Sequence, residues 1–130
     1  MTEELVTLET AKLLKAAGFK EDVSSFYELV YKGGSGPEYE IDENYDAQNY
    51  NTDVYSISAP TQSIAQKWLR ETKNLHIIIY NSASGYTYDI SKADMGTVLY
   101  CFPEGPNDGG NWDTYEEALE AGIIKALKLI

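Results

Sequence analysis

The chain has 130 residues, a formal net charge of -11 and one cysteine, Cys101. This length suits one domain, and the acidic charge repels phosphates over most of the surface, which argues against general DNA or RNA binding. No apolar run is long enough to cross a membrane, the start is unlike a signal peptide, and a lone cysteine cannot form an internal disulfide. We therefore expect a cytoplasmic protein that contacts neither membrane nor nucleic acid directly.

The first part of the chain predicts a helix followed by a strand. A helix is expected from about Leu8 to Ala17, because Leu13, Leu14 and Ala17 form an apolar stripe behind Thr7, a good capping residue, and Gly18 supplies a left-handed ending. Residues 23–31 are rich in β-branched and aromatic side chains, which predicts a strand.

Residues 33–53 predict a long acidic loop, because they show neither helical nor strand periodicity. Within it, Asp42, Asn44 and Asp46 have the spacing of the first three EF-hand ligands, and Asp53 falls at the twelfth position. The glycine needed for the sharp turn is absent, and so are the flanking helices. We therefore predict no metal and no other cofactor.

The second half of the chain predicts three strands between two helices. Short apolar runs separated by turn-forming residues indicate the strands. The expected elements are an extended segment at 54–59, a helix at 62–73, strands at 75–80, 86–90 and 97–102, and a helix at 114–130.

The last helix is the clearest element in the sequence. Thr114 and Glu117 have the spacing of a capping box, and an apolar stripe follows at helical spacing. Ala118, Gly122 and Ala126 lie four residues apart, which lets a neighbouring backbone approach closely. A glycine inside a helix costs about 1 kcal/mol, so we expect this close packing to offset the loss.

Together these patterns predict an α+β fold over residues 1–130 as a single domain. The expected core is a three- to four-stranded, mainly antiparallel sheet with helices packed on one face. The predicted order is α-β-(loop)-α-β-β-β-α.

His76 and Cys101 are the only histidine and cysteine, so a Cys–His nucleophile needs consideration. If the predicted hairpin pairs Tyr80 with Tyr86, His76 lies opposite Ile90, and more than about 10 Å separates it from Cys101. A nucleophile and its base need hydrogen-bond reach. No acid–base pair, metal set or phosphate cradle is visible elsewhere, and we predict no catalytic residue.

The candidate binding residues lie on one sheet face and one helix. Ile78 and Tyr80 share the strand face that a polar histidine marks as outward, so they form a binding platform, a dimer surface, or a face that another segment covers. Lys67, Arg70 and Lys73 make the only basic cluster, on the outer side of the second helix. Such a cluster is either a solvated helix surface or a binding surface.

Three segments carry a family resemblance: LETAKLLKAAGF at 8–19, APTQSIAQKWLRE at 59–71 and TYEEALEAGIIKALKLI at 114–130. They resemble a group of small uncharacterised proteins carried by prophages and other mobile elements of gut anaerobic bacteria. The resemblance fails over residues 33–53. It implies a mobile-element accessory protein and no particular reaction.

Three functional hypotheses follow from the sequence. The leading one is a non-catalytic, acidic accessory protein that binds a host or phage protein, with a homodimer as a further option. The alternative is an acidic DNA mimic, or anti-defence protein, that occupies a basic nucleic-acid site. The third is an enzyme of unrecognised class.

Overall fold

The computed structural model describes residues 3–34, 36–92 and 97–130. Over these ranges the chain has an α+β fold, and both the predicted fold class and the predicted order of elements are confirmed. In chain order the elements are α1 (Leu8–Ala16), β1 (Val23–Tyr31), β2 (Pro37–Gln48), β3 (Ser56–Ser58), α2 (Gln62–Thr72), β4 (Leu75–Ser82), β5 (Gly85–Lys92), β6 (Val98–Tyr100) and α3 (Tyr115–Lys128).

The described strands form two three-stranded antiparallel sheets, where we predicted one sheet. The first has the order β2-β1-β3 and the second the order β4-β5-β6. The chain divides accordingly into an N-terminal unit, Leu5–Thr61, and a C-terminal unit of Gln62–Ile130 with the described residues ahead of Leu5. The two units follow the helix packing, because α1 packs on the first sheet, whereas α2 and α3 pack on the second.

Helix α1 begins and ends where its sequence indicates. The Thr7 hydroxyl accepts a hydrogen bond from the Thr10 N–H at 3.3 Å. At the other end Gly18 has a φ of 96°, and the Phe19 N–H donates to the Leu14 carbonyl at 3.0 Å. Because glycine adopts this backbone conformation without strain, it ends the helix and turns Phe19 back into the core.

The predicted acidic loop at 33–53 is wrong over most of its length, because Pro37–Gln48 form strand β2. This strand pairs antiparallel with β1, and Pro37 lies opposite Tyr31. Nearly every β2 side chain is exposed, so neither face selects apolar residues and no alternating pattern exists in the sequence. Pairing with the β1 backbone, which periodicity cannot reveal, stabilises the strand.

Tyr50, which follows β2, belongs to the core of the N-terminal unit and is only 8% exposed. Its ring stacks on Phe26 with centroids 4.0 Å apart, and its N–H donates to the Ser58 hydroxyl at 3.0 Å. Its own hydroxyl is buried and has no hydrogen-bond partner among the described residues. A buried polar group without a partner destabilises a fold, so this hydroxyl opposes the burial of its own ring.

We expect Tyr50→Phe to raise the free energy of unfolding by about 1–2 kcal/mol, because the stacked ring stays and the unpaired hydroxyl is removed. Tyr27→Phe is the matched control, since the Tyr27 hydroxyl donates to the Val6 carbonyl at 2.9 Å. Its loss should lower the same free energy by about 1 kcal/mol. Urea denaturation measures both changes, and a destabilised Tyr50→Phe variant would contradict this account.

Helix α3 packs on the second sheet through its apolar stripe. The Thr114 hydroxyl accepts from the Glu117 N–H at 3.1 Å, which confirms the predicted cap. A Cβ built on Gly122 would lie 2.9 Å from Ile77 Cγ2 and 3.3 Å from the Tyr88 ring, so the glycine permits the close approach that we predicted. The buried residues of α3 are Ala118, Leu119, Gly122, Ile123, Ala126 and Leu127.

The β4–β5 hairpin is shifted by one residue from the register that we predicted. Ser82 pairs with Gly85 across a two-residue turn, so Tyr80 lies opposite Thr87 and not opposite Tyr86. The strands therefore continue further toward the turn than the polar composition of residues 81–85 suggests. A one-residue shift moves side chains to the other sheet face.

The shift places Tyr88 on the buried face of the sheet. Tyr88 pairs with Ile79 and lies against Gly122 of α3. Its burial, together with the neighbouring Tyr100, raises the pKa of Tyr88 to about 12. The Tyr88 phenol therefore stays neutral at every physiological pH, and its ring packs in the core of the C-terminal unit.

Candidate functional site

The predicted binding residues Ile78 and Tyr80 lie on the face of β4 that points away from α3. Ile77 contacts that helix at Gly122, and alternate strand residues point to opposite faces. Ile78 and Tyr80 are 43% and 45% exposed. The Tyr80 hydroxyl donates to Asp89 Oδ1 at 3.2 Å, which fixes the ring on the outward face.

Three further exposed apolar residues, Val98, Leu99 and Phe102, lie on or just after β6. Val98 lies opposite Ser91, and Ser91 lies opposite His76, so Val98 shares the outward face. We did not select these residues from the sequence, because a short apolar run is equally typical of a buried strand. The apolar face is defined as Ile78, Tyr80 and Val98 together with the adjoining exposed residues Leu99 and Phe102.

Phe102 is held in a strained backbone conformation. It is 88% exposed and has a φ of 57°, a region that bulky residues rarely adopt, least of all before a proline. Pro103 is buried, and the loop behind it is tight: the Gly105 N–H donates to the Gly110 carbonyl at 2.7 Å, and a Cβ on Gly110 would lie 2.6 Å from the Pro103 carbonyl oxygen. The loop therefore imposes the conformation that displays the ring.

The basic cluster, two residues of α2 with Lys73 just after it, makes its described side-chain contacts with residues of that helix. Lys67 lies 4.0 Å from Glu71, and the Lys73 ammonium lies 5.5 Å from the centroid of the Trp68 ring. Arg70 is half-exposed. These contacts are typical of a solvated helix surface, and the structure adds no feature that makes Lys67, Arg70 and Lys73 a binding site.

Strands β1 and β2 together display carboxylates on one face of the first sheet. Glu28 lies directly opposite Glu40, and Glu38 and Asp42 lie two residues to either side of Glu40 on the same face. Lys32 forms an ion pair with Glu40. Like charges directly opposite each other destabilise a strand pair, so folding does not explain this arrangement. The acidic face is defined as Glu28, Glu38, Glu40 and Asp42.

The EF-hand-like spacing does not form a cation-binding loop. Asp42, Asn44 and Asp46 belong to an extended strand, where alternate residues are about 7 Å apart. The Glu43 N–H donates to Asp42 at 2.8 Å, and Asp53 accepts from backbone N–H groups two and three residues later. Within the described ranges, no group of three or more His, Cys, Asp or Glu side chains is arranged to hold a metal.

His76 lies near the start of β4, whereas Cys101 lies near Tyr80, toward the other end of that strand. His76 is opposite Ser91, not Ile90 as we predicted. The Cys101 thiol is close enough to Tyr80 to contribute, after burial and Asp89, to the raised pKa of that phenol. Tyr80 lies four residues from His76, about 13 Å along the strand, so this placement does not support a Cys–His nucleophile.

Comparison with known proteins gives a plain result. No family model, curated protein or solved structure matches this chain. Among the residues that the structure describes, no helix is both long and apolar enough to cross a membrane.

Proposed function

We propose that this chain is a non-catalytic accessory protein of a prophage or mobile element that binds a basic host or phage protein in the cytoplasm through its β1–β2 hairpin. The observation that supports this most is strand β2, a twelve-residue strand at the edge of its sheet. An edge strand presents backbone N–H and C=O groups with which an extended segment of another protein can pair.

The charge of the hairpin selects the partner. Residues 23–48 hold six acids and one lysine, and four of the acids form the acidic face. A lysine- and arginine-rich segment is attracted to this surface, whereas an acidic segment, including a second copy of β2, is repelled. The acids thereby protect a long exposed edge from self-association and leave it open to basic chains.

Exposed apolar side chains on the hairpin provide contact area for a partner, in addition to the charge of the acidic face. Tyr31, Ile41 and Tyr45 are all exposed, and Tyr31 and Ile41 lie on the sheet face opposite the acidic face. Aromatic residues of this kind are typical anchors of protein interfaces. The combination favours a protein partner over a simple cation.

The test uses a twelve-residue lysine- and arginine-rich peptide, matched in length to β2, titrated calorimetrically into the full chain. We expect binding that weakens as salt screens the charges. The variant Glu38→Gln/Glu40→Gln/Asp42→Asn should bind about tenfold more weakly or worse, because it removes most of the acidic face.

The matched control removes the same charge from exposed positions of the C-terminal unit, in the variant Glu71→Gln/Glu104→Gln/Asp108→Asn. Its affinity for the peptide should change by less than about threefold, because these carboxylates lie outside the hairpin and add only to the general charge of the chain, which physiological salt screens. Equal weakening by both triple variants would mean that only net charge attracts the peptide, and would overturn the proposal.

The second candidate, a DNA mimic, is supported by the regular spacing of the acidic face. Its β2 carboxylates recur at every second residue, about 7 Å apart, as a row of fixed negative charges. The deciding measurement is displacement of a labelled duplex from a basic DNA-binding protein. Displacement by the wild type and not by the hairpin triple variant favours mimicry, while peptide binding without displacement favours the leading proposal.

A further inference from the structure

The apolar face gathers side chains that a folded chain normally buries. Ile78, Tyr80 and Val98 share the outward face of the second sheet, and all are exposed. Cys101 lies close enough to Tyr80 to affect its phenol, which brings the following residue, Phe102, to the same part of the sheet. Ile78 and Tyr80 lie on β4 and the other three apolar side chains lie on or just after β6, with Asp89 and its neighbours on the central strand β5 between the two groups.

The backbone conformation of Phe102 indicates that the exposure of this patch has a function. A bulky residue with a φ of 57° ahead of a proline is unfavourable by about 1–3 kcal/mol. At 88% exposure, its ring makes little contact within the chain that offsets this. Strain of this kind persists where the surroundings impose it, and it is concentrated at functional positions.

The charge around the apolar face indicates what covers it. Among the described strand residues on this face, Asp89 is the only one with a formal charge, whereas the chain as a whole has a net charge of -11. This face therefore gives a basic partner little to bind and repels an acidic one only weakly. A second, equally acidic copy can approach it with little repulsion.

The area of the patch is sufficient for a weak dimer. Two aromatic and three aliphatic side chains with the observed exposures present on the order of 500 Å² per copy. Two such patches bury about 1,000 Å² in total, which is the lower limit for a specific interface. A twofold-symmetric contact uses the same patch on both copies, so no second surface is needed.

We propose that two copies of this chain associate reversibly through the apolar face, with Phe102 of each copy packed against the Ile78 and Tyr80 side chains of the other. This dimer uses a surface on the C-terminal unit and does not depend on the proposed hairpin contact.

The test is sedimentation velocity of the full chain from about 1 µM to 1 mM, the range in which a weak dimer dissociates. We expect the dimer fraction to rise with concentration and with salt, because salt screens the repulsion between two acidic copies. This salt effect is opposite in sign to that expected for the basic peptide, so each proposal fails independently of the other.

Phe102→Gly should weaken the dimer about 30-fold, as the loss of a central aromatic anchor does. Glycine adopts the φ of 57° without strain, so the variant should melt at or above the wild-type temperature. Ile78→Lys should abolish the dimer by placing like charges on both sides of the contact, and it places no like charge opposite Asp89, the strand partner of Ile78. Tyr45→Ala, which removes an exposed aromatic residue of the N-terminal unit, is the control and should dimerise like the wild type.

Three results would overturn the dimer. One is a wild-type chain that stays monomeric at the highest concentration, and another is a dimer that weakens as salt rises. The third is a Phe102→Gly variant that folds and still dimerises with wild-type affinity.

Discussion

Trp68→Ala is expected to lower the free energy of unfolding by about 3–5 kcal/mol, a large part of the stability of a domain of this size. Trp68 is 6% exposed, and it lies on α2 beside Ala65 and Leu69, which are also buried. Alanine leaves a cavity that Ala65 and Leu69 cannot fill, because the helix backbone holds both side chains in place. The measurement is chemical denaturation of the full chain.

Arg70→Ala on the same helix is the matched control. Arg70 is half-exposed on the outer side of α2, and such surface substitutions usually change stability by no more than about 0.5 kcal/mol. If Arg70→Ala unfolds while Trp68→Ala retains wild-type stability, the burial assigned to α2 is reversed and the basic cluster belongs to an internal network.

Gly85→Ala is expected to destabilise the chain by about 3 kcal/mol or more, through a clash at the β4–β5 turn. Gly85 has a φ of 128°, and a Cβ there would lie 2.1 Å from the Trp112 carbonyl oxygen. Trp112 and Tyr86 exchange two backbone hydrogen bonds of 2.8 Å. An added methyl group must either break this pairing or move the hairpin, in addition to the strain at positive φ.

Gly109→Ala separates the clash from the strain. Gly109 lies in the same loop region with a φ of 77°, but the nearest atoms to its Cβ position are 3.8 Å away. Its substitution should cost about 1–2 kcal/mol from backbone strain alone. Thermal melts of both variants measure the difference, and equal losses would indicate that Trp112 moves aside easily.

Docking of this loop also explains the hairpin register that we predicted wrongly. Asn111 donates to the Ser82 hydroxyl at 2.7 Å, and Asn107 donates to the Ser84 carbonyl at 3.3 Å. These contacts hold a two-residue turn where the polar composition of the segment suggested a longer one. The loop comes from more than twenty residues further along the chain, so local pattern does not report its effect.

The candidate surfaces were only partly visible in the sequence. The parity of β4 correctly assigned Ile78 and Tyr80 to an exposed face, because the alternation of a strand is a local property. Val98 and Phe102 join that face through strand pairing and a loop-imposed φ, and neither leaves a local signal. The acidic face likewise exists only because β1 and β2 pair with Glu28 opposite Glu40.

The sequence by itself determined the helices, their caps and the fold class. Thr7, Gly18 and Thr114 act through hydrogen bonds and backbone angles within a few residues, so the local pattern is sufficient to predict α1 and α3. Only the tertiary structure decided that β2 is a strand and that the strands form two sheets. It also decided which carboxylates and which apolar residues share a face. Strand pairing joins residues far apart in the chain, and in an exposed strand like β2 burial imposes no pattern that reveals it.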